Sequence, residues 1–186
     1  ILIMGNLAIN TIESVIRRIS GQFHEADIAF THGTDNAVDE AAYLVFGALN
    51  LDHDAAAEVY LMSVNKMQMK MINELVEQRI KSKLPVAYLI NQAWFAGLEF
   101  FVDERVLVPR SPIAELIINH FNPWLDINSK QHVLDLGTGS GCIAIAMAMY
   151  FSHLKVDAID CSQAALDVAA MNVQRHHIDE KVRLIK

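Results

Sequence analysis

A short apolar run closed by three glycines at alternate positions constrains this chain more than any other stretch. Residues 133–145 read Val-Leu-Asp-Leu-Gly-Thr-Gly-Ser-Gly-Cys-Ile-Ala-Ile. Residues 133–136 carry the pattern of a short buried strand, and the Ala/Ile/Met run that continues to Tyr150 reads as a helix. The chain must therefore reverse within a few residues. Gly137, Gly139 and Gly141 let it do so, because glycine adopts positive φ freely and leaves no Cβ between the backbone and a ligand lying across the turn. The N–H groups that open the following helix favour polar or anionic ligand atoms.

Spacing narrows the ligand. A dinucleotide-binding turn would read Gly-x-Gly-x-x-Gly, but here Cys142 occupies the last position and the third glycine is Gly141. No Gly-Lys-Ser/Thr follows, as a phosphate loop requires. A second strand pattern over 155–159 ends in Asp160, about 20 residues beyond the turn, where a carboxylate can accept hydrogen bonds from both hydroxyls of a ribose. The plain alternative is a glycine turn followed by a surface acid. Taken together, Asp135-x-Gly137-x-Gly139-x-Gly141 resembles the first motif of S-adenosylmethionine-dependent methyltransferases with a Rossmann-like core.

Composition sets the outer limits. With 186 residues, 53% of them hydrophobic, the chain has material for one or two globular domains. Its longest apolar run, over 142–151, is far short of the ~20 residues that span a bilayer, and the opening Ile-Leu-Ile-Met lacks a basic leader, so no membrane association is expected. The two cysteines, Cys142 and Cys161, form neither a metal-binding spacing nor a disulfide framework, which fits a reducing cytoplasm with both thiols as small core residues. A net charge of −7, without a block of lysines and arginines, disfavours direct nucleic-acid binding and favours encounter with a basic protein. Nothing in the composition bears on oligomeric state.

In chain order, Ile9, Ile12, Val15, Ile16 and Ile19 form a stripe at helical spacing, predicting a first helix that stops at Gly21. Residues 31–36 form a turn in which Asp35 or Asn36 caps a second helix carrying Ala41, Leu44, Val45, Ala48 and Leu49. A shorter helix over 54–62 precedes a longer one over 65–83. In the latter, Met67, Met71, Leu75 and Ile80 are expected to face inward, and the basic residues, interleaved with Glu74 and Glu77, to form a solvated face. Met62, Met67, Met69 and Met71 read as flexible core packing.

Pro85 marks a boundary. The expected organisation is a helical domain over 1–84, a hairpin linker and helix over 85–130, and a strand-rich domain over 131–186. The hairpin pairs 93–95 with 98–102 around Ala96-Gly97, and Ser111 and Pro112 open a helix ending near Asn122-Pro123. Strands at 132–136, 155–159 and 182–185, alternating with helices over 140–150 and 162–176, predict a right-handed parallel α/β core.

Pro85-Val-Ala-Tyr-Leu, Trp94-Phe-Ala-Gly97, Val106-Leu-Val-Pro-Arg110 and the glycine motif, in that order, resemble the HemK family of protein glutamine methyltransferases. Ser111-Pro-Ile-Ala-Glu115, with His32-Gly-Thr-Asp-Asn36 and Asp39-Glu-Ala41, resembles the branch whose substrate is the large-subunit ribosomal protein L-three; a peptide chain release factor is the alternative substrate. The resemblance implies a helical domain that recognises the substrate protein and a Rossmann-like domain that binds S-adenosylmethionine. It also implies that Gly137, Thr138, Gly139, Ser140 and Gly141 line the cofactor and that Asp160 holds its ribose. Asp135 either braces the turn or reaches the cofactor's amino group through water. Arg110 either stands near the cofactor or substrate entrance or pairs with an acid such as Glu115. The family's Asn-Pro-Pro-Tyr loop, which orients the substrate amide, does not occur in these residues, and Asn122-Pro123-Trp124 precedes the glycine motif and lacks the second proline. The expectation is thus a cofactor-binding half-site with no metal and no catalytic residue, inactive alone, in a domain truncated after its third strand. A non-catalytic fragment that only binds cofactor or partner is the other reading.

Overall fold

The first helix begins where Thr11 Oγ1 accepts the Ser14 N–H at 3.2 Å, satisfying one of the donors that a helix start leaves without a partner. The computed structural model describes residues 10–30, 33–52 and 54–186, so Ile9, Thr31 and His32 lie outside the described residues. The chain divides between Ile90 and Asn91 into two units.

In the first unit, α1 (Ile12–Glu25) buries Ile12, Val15, Ile16, Ile19 and Phe23 along one face. It runs through Gly21, where a stop was expected. A glycine inside a helix costs about 1 kcal/mol relative to alanine, whereas burying a side chain such as Phe23 contributes about 1.5–3 kcal/mol. Asn36 Oδ1 accepts from Val38 N (3.0 Å) and Asp39 N (2.9 Å) and so starts α2 (Ala37–Leu49), whose Ala41, Leu44 and Val45 are fully buried. The helix expected over 54–62 is only a 3-10 segment, Ala57–Leu61, because none of its residues is buried and no apolar face holds a longer one.

Helix α3 (Lys66–Ser82) has the expected bounds, set by a capping box between Asn65 and Gln68 and a left-handed Lys83. Its rotation differs from expectation. Ile72, Val76 and Arg79 form the buried face, Leu75 and Ile80 are partly buried, and Met67 (83% exposed), Met71 and Met62 face solvent. Of the methionine stripe, Met69 packs against the core while Met62, Met67 and Met71 do not, and Arg79 is not on a solvated face. Arg79 Nε donates to Glu40 Oε1 at 2.6 Å, Nη1 to Lys83 O and Nη2 to Ala29 O, while Thr34 Oγ1 donates to Glu40 Oε2. A buried ion pair is tolerated only with its remaining hydrogen-bonding capacity filled in this way, and that requirement turns the helix. The short α4 (Val86–Leu89) buries Val86 and Ala87 and belongs to this unit, so the division falls after Ile90, not at Pro85.

In the second unit, β1 (Ala93–Phe95) pairs antiparallel with β2 (Leu98–Phe100), in register Ala93 to Phe100, across a turn in which Ala96 and Gly97 both have positive φ. Phe95, Phe100, Ile117 and Ile127 enter the unit's core, so residues 91–130 are an integral layer of this unit and not a linker. Helix α5 (Ile113–Ile118) ends earlier than expected, because His120 and Phe121 take left-handed φ of 53° and 57° and cannot continue it.

Strands β3 (His132–Leu136), β4 (Lys155–Ile159) and β5 (Val182–Ile185) form a parallel sheet in that order, joined by α6 (Cys142–Tyr150) and α7 (Gln163–Arg175). The register aligns Val133, Val156 and Val182 on one face with Asp135, Ala158 and Leu184. That face carries the core, into which α6 packs on nearly all sides. On the opposite face Leu134 is 56% and Leu136 70% exposed, so β3 is half-buried, in contrast to the buried strand expected from its sequence. Among the described residues no helix is long and apolar enough to cross a membrane.

Candidate functional site

The glycine turn lies across the C-terminal ends of the parallel strands, the edge at which open α/β sheets hold ligands. Gly137 N and Thr138 N both donate to Ile159 O, at 2.8 and 2.9 Å, which lashes the turn to the end of β4. Gly139 N donates to Asp160 Oδ2 at 3.0 Å, and Gly141 N to Thr138 O at 2.9 Å. All three glycines have positive φ, of 73°, 56° and 80°, a conformation that other L-residues adopt only with strain.

The glycines divide by what surrounds them. A Cβ added at Gly137 or Gly139 would meet nothing within 4 Å, so open space lies over the first part of the turn. At Gly141 it would stand 3.2 Å from Ile145 Cδ1 and 3.3 Å from Ala169 Cβ, so this glycine serves the packing of α6 against α7. Thr138 and Ser140 are buried. They were expected to line the ligand, but their side chains point into the protein, and what these two positions can offer a ligand is backbone.

Both acids at the strand ends hold the turn. Thr138 Oγ1 donates to Asp135 Oδ2 at 2.6 Å. Asp160 Oδ2 takes the Gly139 N–H, and its Oδ1 accepts Ser162 N at 2.9 Å, just before α7. A carboxylate has about four acceptor sites, so the partly exposed Asp160 retains capacity for further donors. Arg110 is exposed on the segment between β2 and α5. Cys142 is buried behind the turn, and desolvation pushes its thiol up to about 11, which keeps it neutral and non-nucleophilic.

One residue of this region went unremarked in the sequence. Asn172 on α7 is fully buried, its Oδ1 accepting Phe101 N at 2.7 Å and its Nδ2 donating to Phe101 O at 3.0 Å and to Ser140 O at 2.9 Å. One turn further along α7, Arg175 pairs with Glu99 at 2.6 Å and His176 Nε2 lies 2.8 Å from Glu99 O. The available signal was an amide lying on the apolar stripe of Leu166, Ala169 and Val173.

A family model described as "Methyltransferase small domain" matches residues 113–185. Proteins named "Ribosomal protein uL3 glutamine methyltransferase" align with nearly the whole chain. That of Neisseria meningitidis serogroup A is 42% identical over 178 residues, covering 95% of this chain and 59% of its own length. That of Xanthomonas campestris pv. campestris is 46% identical, covering 96% and 58%. That of Francisella tularensis is 42% identical over 185 residues, covering 99% and 58%. The chain thus spans about three fifths of the length of the curated relatives it matches.

Proposed function

We propose, from its similarity to proteins named ribosomal protein uL3 glutamine methyltransferase, that this chain serves the S-adenosylmethionine-dependent methylation of a glutamine side-chain amide in uL3. The observation that carries the reading is the turn itself: Gly137 and Gly139 hold positive φ beneath open space, beside the Asp160 carboxylate at the tip of β4. These residues fit a ligand that combines a ribose with a polar chain.

When bound, the cofactor supplies an electrophilic methyl group on a sulfonium. The chain's own residues bind and orient. Gly137 and Gly139 let the backbone approach the ligand closely, and the lone pairs of Asp160 not used by Gly139 and Ser162 accept the ribose hydroxyls. Asp135 keeps the turn in shape through Thr138. Arg110 serves in this reading as a cation near the cofactor or substrate entrance, the other reading being a partner for an acid such as Glu115. A glutamine amide is a weak nucleophile, its nitrogen lone pair delocalised into the carbonyl, so it must be held in line and desolvated. None of the 186 residues is assigned that task, since Asn-Pro-Pro-Tyr does not occur among them. The helical unit contributes to substrate choice, and the net charge of −7 favours encounter with a basic ribosomal protein.

The test is calorimetric titration of S-adenosylhomocysteine into the protein, followed by mass spectrometry of uL3 and of a release factor incubated with it and labelled S-adenosylmethionine. Cofactor binding is expected of these 186 residues alone, and methylglutamine in uL3 only when they are joined to a segment that carries Asn-Pro-Pro-Tyr. Absence of cofactor binding, or transfer to the release factor in preference to uL3, would overturn the proposal.

A further inference from the structure

Asn172 occupies a position that packing alone would give to a leucine. It follows Leu166 and Ala169 on the apolar stripe of α7, adjoins Val173, and has no exposed surface. An amide there exists for what it binds, because a buried polar group with no partner is strongly disfavoured. Its three hydrogen bonds reach two separate segments. One is the backbone of Phe101, 71 residues away, just past β2, and the other is the carbonyl of Ser140, 32 residues away, between Gly139 and Gly141.

We infer that Asn172 is a positioning residue for the cofactor turn, setting the turn's height above α7 and its register against the segment that leads from β2 to Arg110. This rests on reading the turn as the S-adenosylmethionine site. Three glycines make the turn intrinsically loose, so its shape depends on external anchors. Two lie at the ligand's own edge, the Ile159 carbonyl and Asp160. Asn172 grips from beneath, where no ligand reaches. Its oxygen and both amide hydrogens are all used, so neither a carboxylate nor an aliphatic side chain of the same size can replace it. Arg175 and His176, on the same face, hold Glu99 and lay the preceding strand along the helix, so the Phe101 segment is itself fixed at that height.

The experiment compares Asn172→Asp with Val173→Ala in the intact chain. Val173 is a buried neighbour on α7 whose side chain makes no hydrogen bond. Asp is nearly isosteric with Asn but sets oxygens against the Phe101 and Ser140 carbonyls. Protonated near pH 5, as a buried carboxyl readily is, it regains one donor. Two quantities are read: amide-exchange protection of Gly139 and Gly141 without ligand, and affinity for S-adenosylhomocysteine. For Asn172→Asp both are expected to fall about tenfold at neutral pH and to recover partly near pH 5. For Val173→Ala both should stay within about twofold of wild type despite a lowered thermal midpoint. If Asn172→Asp does not fold, Asn172→Ser, which buries no charge, is read the same way without the pH arm.

Unchanged protection at Gly139 and Gly141 with unchanged affinity would show that Asn172 only stabilises the unit, and would overturn the inference. Should wild type not bind S-adenosylhomocysteine, the cofactor reading fails instead, and the exchange data alone decide whether Asn172 holds the turn.

Discussion

The Gly139 N–H points at Asp160 Oδ2 across 3.0 Å, so the acid at the tip of β4 holds the glycine turn. The same carboxylate accepts Ser162 N with its other oxygen. If Asp160 also holds the ribose, as proposed, ligand binding and local stability share one side chain, and two mutational effects that would otherwise separate should appear together.

Asp160→Ala removes an ionised acceptor whose hydrogen bonding to the ribose contributes about 1.5–3 kcal/mol in all. Affinity for S-adenosylhomocysteine is expected to fall roughly 10- to 150-fold, at about 1.4 kcal/mol per tenfold. The thermal midpoint should fall as well, by about 4–8 °C per kcal/mol for a unit of this size, although Ser162 Oγ still caps α7 through Ala165 N. Titration calorimetry beside thermal unfolding checks both. A lower midpoint with undiminished affinity would leave Asp160 purely structural.

Alanine at each glycine of the turn should sort the positions by their surroundings. Gly141→Ala meets Ile145 and Ala169 within 3.3 Å and adds backbone strain, so it should be the most destabilising of the three, by about 2–4 kcal/mol. Gly137→Ala and Gly139→Ala meet open space and should lose only about 1–2 kcal/mol of stability from the left-handed backbone. Their loss of cofactor affinity should be disproportionate, because the new methyl group would enter the open space proposed for the ligand. Equal stability losses at all three positions would contradict this division.

The Glu40–Arg79 pair gives the helical unit a different vulnerability. Arg79→Met leaves the Glu40 carboxylate buried and the carbonyls of Ala29 and Lys83 without their guanidinium donor. Breaking a buried pair in this way costs about 3–5 kcal/mol, whereas replacing both partners with methionine should recover much of the loss. Urea unfolding of the two single variants and the double variant measures this directly. A double variant as unstable as Arg79→Met would show that packing, not the orphaned charge, sets the cost.

The two thiols should differ in reactivity. Cys161 is exposed and should alkylate in the native state, while Cys142, pushed up to about 11 by burial, should react only on unfolding. Linkage gives the sign: folding favours the neutral Cys142 thiol. Its contribution is complete below the unfolded value of 9.0 and is lost as pH rises toward about 11. Cys142→Ala should therefore flatten the fall in stability over that interval. An equal slope in wild type and variant would place the titration elsewhere.

What the sequence determined by itself is the part governed by neighbours along the chain. Asn36, Asn65 and Ser162 cap helices because the amides they satisfy lie two or three residues away, and the strand, glycine turn and helix from His132 to Tyr150 follow from local dihedral preference and pattern. Tertiary structure decided what depends on distant partners. Gly21 did not stop α1, because Phe23 had a core to enter. A residue 39 positions away selected Arg79, not the methionines, for the buried face of α3. At the turn the glycines and Asp160 were legible from order and spacing, but the inward aim of Thr138 and Ser140 and the grip of Asn172 were not. Helical periodicity reports that a face is buried. Only the packed chain brings the Ser140 carbonyl and the Phe101 amide together, and that meeting makes an amide, instead of a leucine, the side chain that belongs at position 172.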